Sequence, residues 1–198
     1  TLNNTTYAGT GNNVLDGAAG SDTISFAYAT AAVTANLATG LATGGSGSDT
    51  LLNIENVTGS NFADNLTGTA GANVIDGGLG ADIMIGLNGN DLYYVDNAAD
   101  NIIETLTGGI DLVYATATYT LAANVESLRQ ISGDNINATG NTLNNTIYAG
   151  TGNNVLDGAA ETGITLEVLG RKTYLPHAAG GLVRGSFASL CGQALGPQ

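Results

Sequence analysis

The residues best suited to chemistry in this chain are its carboxylates. Twelve Asp and five Glu stand against four basic residues, for a net charge of −13. Five of the Asp (Asp22, Asp49, Asp64, Asp82 and Asp91) occupy the sixth position of a nine-residue pattern rich in Gly and small residues. Asn13, Asn73, Asn145 and Asn154 hold that position in other copies. An oxygen ligand presented at a fixed interval suits a hard cation, and Ca²⁺ prefers carboxylate and carbonyl oxygens. The acidic balance excludes a nucleic-acid binder, which needs a basic surface against phosphate.

Other reaction chemistries find few residues. There is no H-E-x-x-H, and GGSGS at 44–48 lacks the last Gly of a nucleophile elbow. His177 is the only His and Cys191 the only Cys, so a histidine-based triad has one place to stand and an internal disulfide none. A carboxylate pair for glycoside cleavage could be drawn from so many Asp. Regular repetition argues instead for metal ligation, because a catalytic pair needs one special place. No catalytic residue is assigned.

The elements that must hold these oxygens follow from the repeats. Residues 1–19 recur at 142–160 with a single difference, Thr6 against Ile147. Inside that long unit the period is nine, in blocks at 8–25, 44–52, 59–94 and 140–157. The eighth place of each copy is apolar: Leu15, Ile24, Leu51, Leu66, Ile75, Met84, Tyr93, Ile147 and Leu156. Small residues before the sixth place predict a tight turn. The last three places predict a very short strand whose eighth residue points inward. Tyr93, bulky where the other copies carry aliphatic residues, predicts the end of the stack.

Two spacers separate the blocks. Residues 26–43 alternate through Val33, Ala35 and Leu37, and 95–139 contains VYATATYTL; both predict strands that continue a sheet. Thr116, Thr118 and Thr120 would then form one flat row, a candidate face for a surface or carbohydrate ligand. No helix is expected in the first 160 residues. Residues 161–198 change composition, holding both Pro, His177, Cys191 and three of the four basic residues. The break at Glu161 reads either as a C-terminal cap or as a junction with unrelated coding sequence.

The copies resemble the G-G-x-G-x-D-x-U-x pattern of the repeats-in-toxin (RTX) family, most closely in GGSGSDTLL, GGLGADIMI and GLNGNDLYY. The resemblance implies an all-β fold, a parallel β-roll or β-solenoid with strand-rich spacers, over residues 1–160. It implies one coil per pair of nonapeptides and Ca²⁺ between turns stacked on one edge. Same-edge neighbours stand 18 residues apart, which pairs Asp64 with Asp82 and Asn73 with Asp91. The implied ligands are Asp22, Asp49, Asp64, Asn73, Asp82 and Asp91, with the turn glycines Gly78, Gly80 and Gly89. The strongest site is expected between turns 59–64 and 77–82, and weaker sites where Asn replaces Asp. The resemblance also implies a secreted, extracellular parent protein exported by a type I-like route, whose other domains are the partners of this region. No apolar run is long enough for a membrane span. The chain opens inside a repeat with no leader, so an export signal is expected elsewhere in the parent. Two roles stay open: a folding and export module of an extracellular enzyme whose catalytic domain lies elsewhere, or a stalk or ligand-presenting segment of an adhesin.

Overall fold

The computed structural model describes residues 2–159, together with the backbone of three strands at 164–168, 171–175 and 182–185. Two compact units divide the chain, residues 1–111 and 112–198. All regular structure among the described residues is β, as expected, and no helix there is long and apolar enough to cross a membrane.

The first unit winds between two sheets. One consists of β1 (Thr5–Tyr7), β3 (Thr23–Ser25), β7 (Asn56–Thr58), β9 (Val74–Asp76) and β11 (Leu92–Val95), side by side in that order and all parallel. The facing sheet contains β2 (Val14–Asp16), β4 (Val33–Asn36), β5 (Leu41–Gly44), β6 (Gly47–Leu52), β8 (Asn65–Thr67), β10 (Ile83–Leu87) and β12 (Asn101–Glu104), ordered β12-β10-β8-β4-β5-β6-β2. The strands are short because each coil spends half its residues on turns. Register follows the repeat: Val57 stands beside Ile75 and Ile75 beside Tyr93 on one sheet, Leu66 beside Met84 and Met84 beside Ile102 on the other. This is a parallel β-solenoid.

The eighth-place residues point inward and stack as columns. Ile24, Leu66, Ile75, Met84 and Tyr93 are wholly buried, Leu51 nearly so, and only Leu15, in the second strand, is half-exposed. Burying one such side chain is worth about 1.5–3 kcal/mol. The spacer residues Val33, Ala35 and Leu37 are buried in the same alternation, as their pattern predicts.

Three expectations are corrected. GGSGSDTLL does not form a solenoid turn. Its glycines close an antiparallel hairpin, Gly44 opposite Gly47, that joins β5 to β6 as a meander within the facing sheet, while Leu51 keeps its parallel register beside Leu15. Tyr93 does not end the roll: it sits wholly inside the core, and β12 follows it in the chain to extend the facing sheet beyond β10. VYATATYTL is not one strand, because the chain bends after β13 (Leu112–Ala115) and resumes as β14 (Tyr119–Thr120). Thr116 lies in that bend, so no continuous Thr row exists.

The second unit repeats the plan. Strand β13, β15 (Ser127–Gln130), β17 (Thr146–Tyr148), β19 (Ile164–Val168) and β20 (Arg171–Leu175) form one sheet; β14, β16 (Ala138–Thr139), β18 (Asn154–Asp157) and β21 (Leu182–Gly185) form the other. Pairing is parallel until β20 and β21, which add antiparallel to β19 and β18. On one outer face Arg129 stacks over the rings of Tyr114 and Tyr148, at 6.0 and 5.7 Å from their centroids. Residues 161–198, expected to be a cap or a junction, fall largely outside the described residues, and so do His177 and Cys191.

Candidate metal centre

The sixth-place side chains form two ladders, one at the entrance of each sheet. On the facing sheet, Asp64 N–H donates to Asp82 Oδ1 at 2.8 Å and Asp82 N–H to Asp100 Oδ1 at 2.9 Å. Val33 N–H donates to Asp64 Oδ1 and Asn13 N–H to Asp49 Oδ1 in the same manner. On the other sheet, Asn4 N–H donates to Asp22, Asp22 N–H to Glu55, Asn73 N–H to Asp91 and Asp91 N–H to Asp111. Each of these carboxylates thus uses one oxygen to satisfy the amide of the coil before it. The expected 18-residue pairs, Asp64 with Asp82 and Asn73 with Asp91, are both in place. The sequence reading stopped at Asp91, however, and missed Glu55, Asp100 and Asp111, which continue the ladders from spacer residues without a Gly-rich turn to flag them.

The second oxygen of each rung divides the ladder into two kinds. In Asp22, Asp82 and Asp91 the Oδ2 atom is buried and receives no hydrogen bond. In Asp64 both oxygens are met within the protein, Oδ2 by Ser60 N–H at 2.5 Å and Oδ1 by Ser60 Oγ at 2.8 Å as well as by Val33. Asp49 Oδ2 accepts from Ser46 Oγ at 3.0 Å. Asn73 answers itself: its Oδ1 accepts from Thr69 N–H, and its Nδ2 donates to Glu55 O at 2.5 Å and Thr69 Oγ1 at 2.9 Å. Asn145 and Asn154 likewise donate Nδ2 to turn carbonyls, Val125 O at 3.0 Å and Gly150 O at 3.2 Å. The dividing feature was present in the sequence. Copies with Ser60 or Thr69 at the second place, or Ser46 at the third, carry a hydroxyl for the rung; copies with Ala18, Gly78 or Leu87 at the second place do not.

The glycines open the space around these oxygens. A Cβ on Gly80 would lie 2.8 Å from Phe62 O and 2.9 Å from Asp82 Oδ1, and one on Gly89 2.6 Å from Gly71 O. At Gly78 a Cβ would strike Ser60 O, and φ there is +79°, a value that favours Gly. Turns 59–64 and 77–82 therefore approach so closely that carbonyls of one face the bare backbone of the next.

Electrostatics sharpen the need for a counter-ion. Residues 1–111 contain twelve carboxylates and no Lys, Arg or His. Burial pushes the Asp82 carboxyl up to about 7, against the lowering effect of the Asp64 N–H and reinforced by Asp100, Asp64 and Asp96. Burial, opposed by the Asn73 N–H and aided by Asp111, pushes Asp91 up to about 6. Asp76, Asp96 and Asp100 are also raised, in each case chiefly by burial. A buried carboxylate oxygen with no donor is stable only if a proton or a cation reaches it. The donor set, carboxylate and carbonyl oxygens in glycine-opened turns, fits Ca²⁺.

A family model described as the RTX calcium-binding nonapeptide repeat matches four copies, over residues 1–26, 58–93 and 139–160. These residues are RTX repeats. Comparison with curated protein sequences returns no match. The RTX repeat family binds Ca²⁺, and the β-solenoid described above is the fold its repeats imply. Such a repeat region is a structural calcium-binding module rather than a catalytic one. The matched segments include Asp22, Asp64, Asn73, Gly78, Gly80, Asp82, Gly89 and Asp91. They leave out 44–52, the copy that folds as a hairpin and whose Asp49 is held by Asn13 and Ser46.

Proposed function

We propose that this region is a calcium-driven folding module of a secreted protein, and that its ions are held at the rungs Asp22, Asp82 and Asp91. The observation that carries this reading is the buried, donor-less Oδ2 of those three residues in a unit without a single basic side chain. Asp82 is the strongest of the three: with the carbonyls of the stacked turns 59–64 and 77–82 it would hold one ion, the turn glycines Gly78 and Gly80 making room. Gly89 plays that part beside Asp91. Asp64 and Asp49 supply charge nearby, but their own oxygens are engaged by serine hydroxyls. Asn73 is a rung that closes without metal.

Calcium binding and folding are then one process. At the low calcium of a cell interior, twelve carboxylates without counter-charge oppose compaction; outside, where calcium modules work at about 10⁻⁴–10⁻³ M, the ions offset that repulsion and the coils close. Such a chain passes an export channel unfolded and folds on the far side. Residues 1–160 act as this module, and strands β19, β20 and β21 add to the end of its sheets. The near-perfect recurrence of residues 1–19 at 142–160 favours a long array, hence a stalk or ligand-presenting segment of an adhesin, as an alternative to an appendage of an extracellular enzyme.

Isothermal titration with Ca²⁺ tests the site assignment. Asp82→Ala should weaken the tightest binding step by at least about tenfold, since it removes a charged ligand, while Asn73→Ala should leave that step nearly unchanged. Equal losses would mean that the unanswered oxygen does not mark the ion's position.

A further inference from the structure

A second kind of oxygen cluster lies inside the first unit, beyond the turn-on-turn ladder. Asp91, Glu104 and Asp111 are all buried and bring one carboxylate oxygen each within 4.8 Å of the others. They reach this point from three different segments. Asp91 enters β11, Asp111 is the next rung of its ladder, and Glu104 ends β12 on the facing sheet with its side chain turned inward. Glu104 and Asp111 both lie outside the residues matched as RTX repeats.

The strands are deformed to make room for the cluster. Register between β10 and β12 slips at Gly86, and the following residue, Leu87, takes a φ of +77° that a side-chain-bearing residue rarely adopts. A methyl group on Gly86 would overlap Tyr93 Oη, Glu104 Oε1 and Asp91 Oδ2 together, so these three oxygens surround one small volume that only glycine leaves open. Tyr93 crosses the core to donate its hydroxyl to Glu104 Oε1, and Glu104 Oε2 accepts from Thr105 N–H. Asp91, 2 % exposed, aims Oδ2 into the same volume and finds no hydrogen-bond donor there. Three like charges within contact range cannot all persist in a buried space without a counter-charge. The unit contains no cationic side chain to provide one.

We propose that the ion of the Asp91 rung is held by Asp91, Glu104 and Asp111 together, a Ca²⁺ site that closes the 59–94 repeat block by tying its last turn to the spacer strand β12. The site differs in kind from those at Asp22 and Asp82: three carboxylates from non-adjacent segments take the place of turn carbonyls, and Tyr93 orients one of them. It explains why the eighth place here is tyrosine, the one residue type in that column able to reach the opposite sheet with a hydrogen-bond donor. The proposal rests on the reading that the repeats take up calcium, and its test separates the two.

Native mass spectrometry of the full chain in increasing Ca²⁺ counts the bound ions. Glu104→Gln, nearly isosteric and uncharged, should saturate with one ion fewer than the wild type while retaining its calcium-dependent circular dichroism. An unchanged ion count with an unchanged midpoint would overturn the proposal and leave the ladder sites standing. A wild type that takes up no calcium would remove both. Should Glu104→Gln fail to fold, Tyr93→Phe decides: the tyrosine ring beside the cluster is placed to sensitise a bound Tb³⁺. This variant should keep the calcium count and lose at least half of the tyrosine-excited Tb³⁺ emission. Emission equal to wild type would show that no ion sits beside Tyr93 and would overturn the proposal.

Discussion

Replacing Asp82 by Asn should stabilise the calcium-free fold and weaken what calcium adds to it. The Asp82 carboxylate uses Oδ1 to accept the Asp64 N–H and leaves Oδ2 buried without a donor, and its carboxyl is pushed from 3.8 up to about 7. Each pH unit of such displacement is worth about 1.4 kcal/mol. Holding this group ionised at mildly alkaline pH therefore costs the calcium-free fold about 4 kcal/mol, reduced to roughly 2 kcal/mol by water that screens a turn near the surface. An Asn keeps the Oδ1 acceptor and brings an amide that can donate to a turn carbonyl, as Asn73 already does toward Glu55 O. In a calcium chelator Asp82→Asn should thus raise stability by about 2 kcal/mol. In millimolar calcium that gain should shrink to about 0.6 kcal/mol, because a tenfold weaker site removes about 1.4 kcal/mol of what calcium adds. Urea unfolding followed by circular dichroism, at about pH 8 in both conditions, measures the two changes; if the chelated chain is already unfolded, the gain appears as recovered β-signal. Loss of stability in chelator, or a gain in calcium as large as the gain in chelator, would refute the assignment of Asp82 as an ion-binding rung.

Further outcomes follow from the same ladder. Ser60→Gly should release Asp64 from its hydroxyl partner and give the chain one more calcium equivalent, or a tighter site, by isothermal titration; no change in either would show that second-place hydroxyls do not decide which rungs bind. The pH dependence of the calcium-free chain has a definite sign. Asp82 and Asp91 have folded-state values of about 7 and about 6, above the ordinary 3.8, so the folded state binds more protons than the unfolded one between those limits. Their contribution to stability is complete below about pH 4 and is lost as pH rises through about 6 to 7. Calcium-free protein should accordingly show more β-signal at about pH 5 than at about pH 8, a difference that saturating calcium should abolish.

Much of this fold was legible in the sequence because the period of nine sets both the spacing of the turns and the inward column. Ile24, Leu66, Ile75 and Met84 stack where their shared eighth place puts them. The copy at 44–52 misled for a physical reason: glycines that permit a solenoid turn also permit a two-residue hairpin, and antiparallel pairing with β5 decides between them. Tyr93 misled because its size was read without its hydroxyl, which Glu104 accepts across the core. The spacer rungs Glu55, Asp100 and Asp111 were hidden because a ladder needs only a carboxylate in the right coil position, and their turns follow no consensus. The division of rungs by the residues at the second and third places was readable from Ser46, Ser60 and Thr69. It acquires meaning only when each hydroxyl is seen to hydrogen-bond the rung beside it.

The central claim is that calcium and the fold of the first unit are coupled, and hydrogen exchange read by mass spectrometry across the full chain tests it most directly. In millimolar calcium the amides of β7 to β12 should be protected; in chelator the same segments should exchange as an open chain. The second unit, whose rungs at Asn145 and Asn154 close through their own amides, should change less. Equal protection of β7 to β12 in calcium and in chelator would contradict the account.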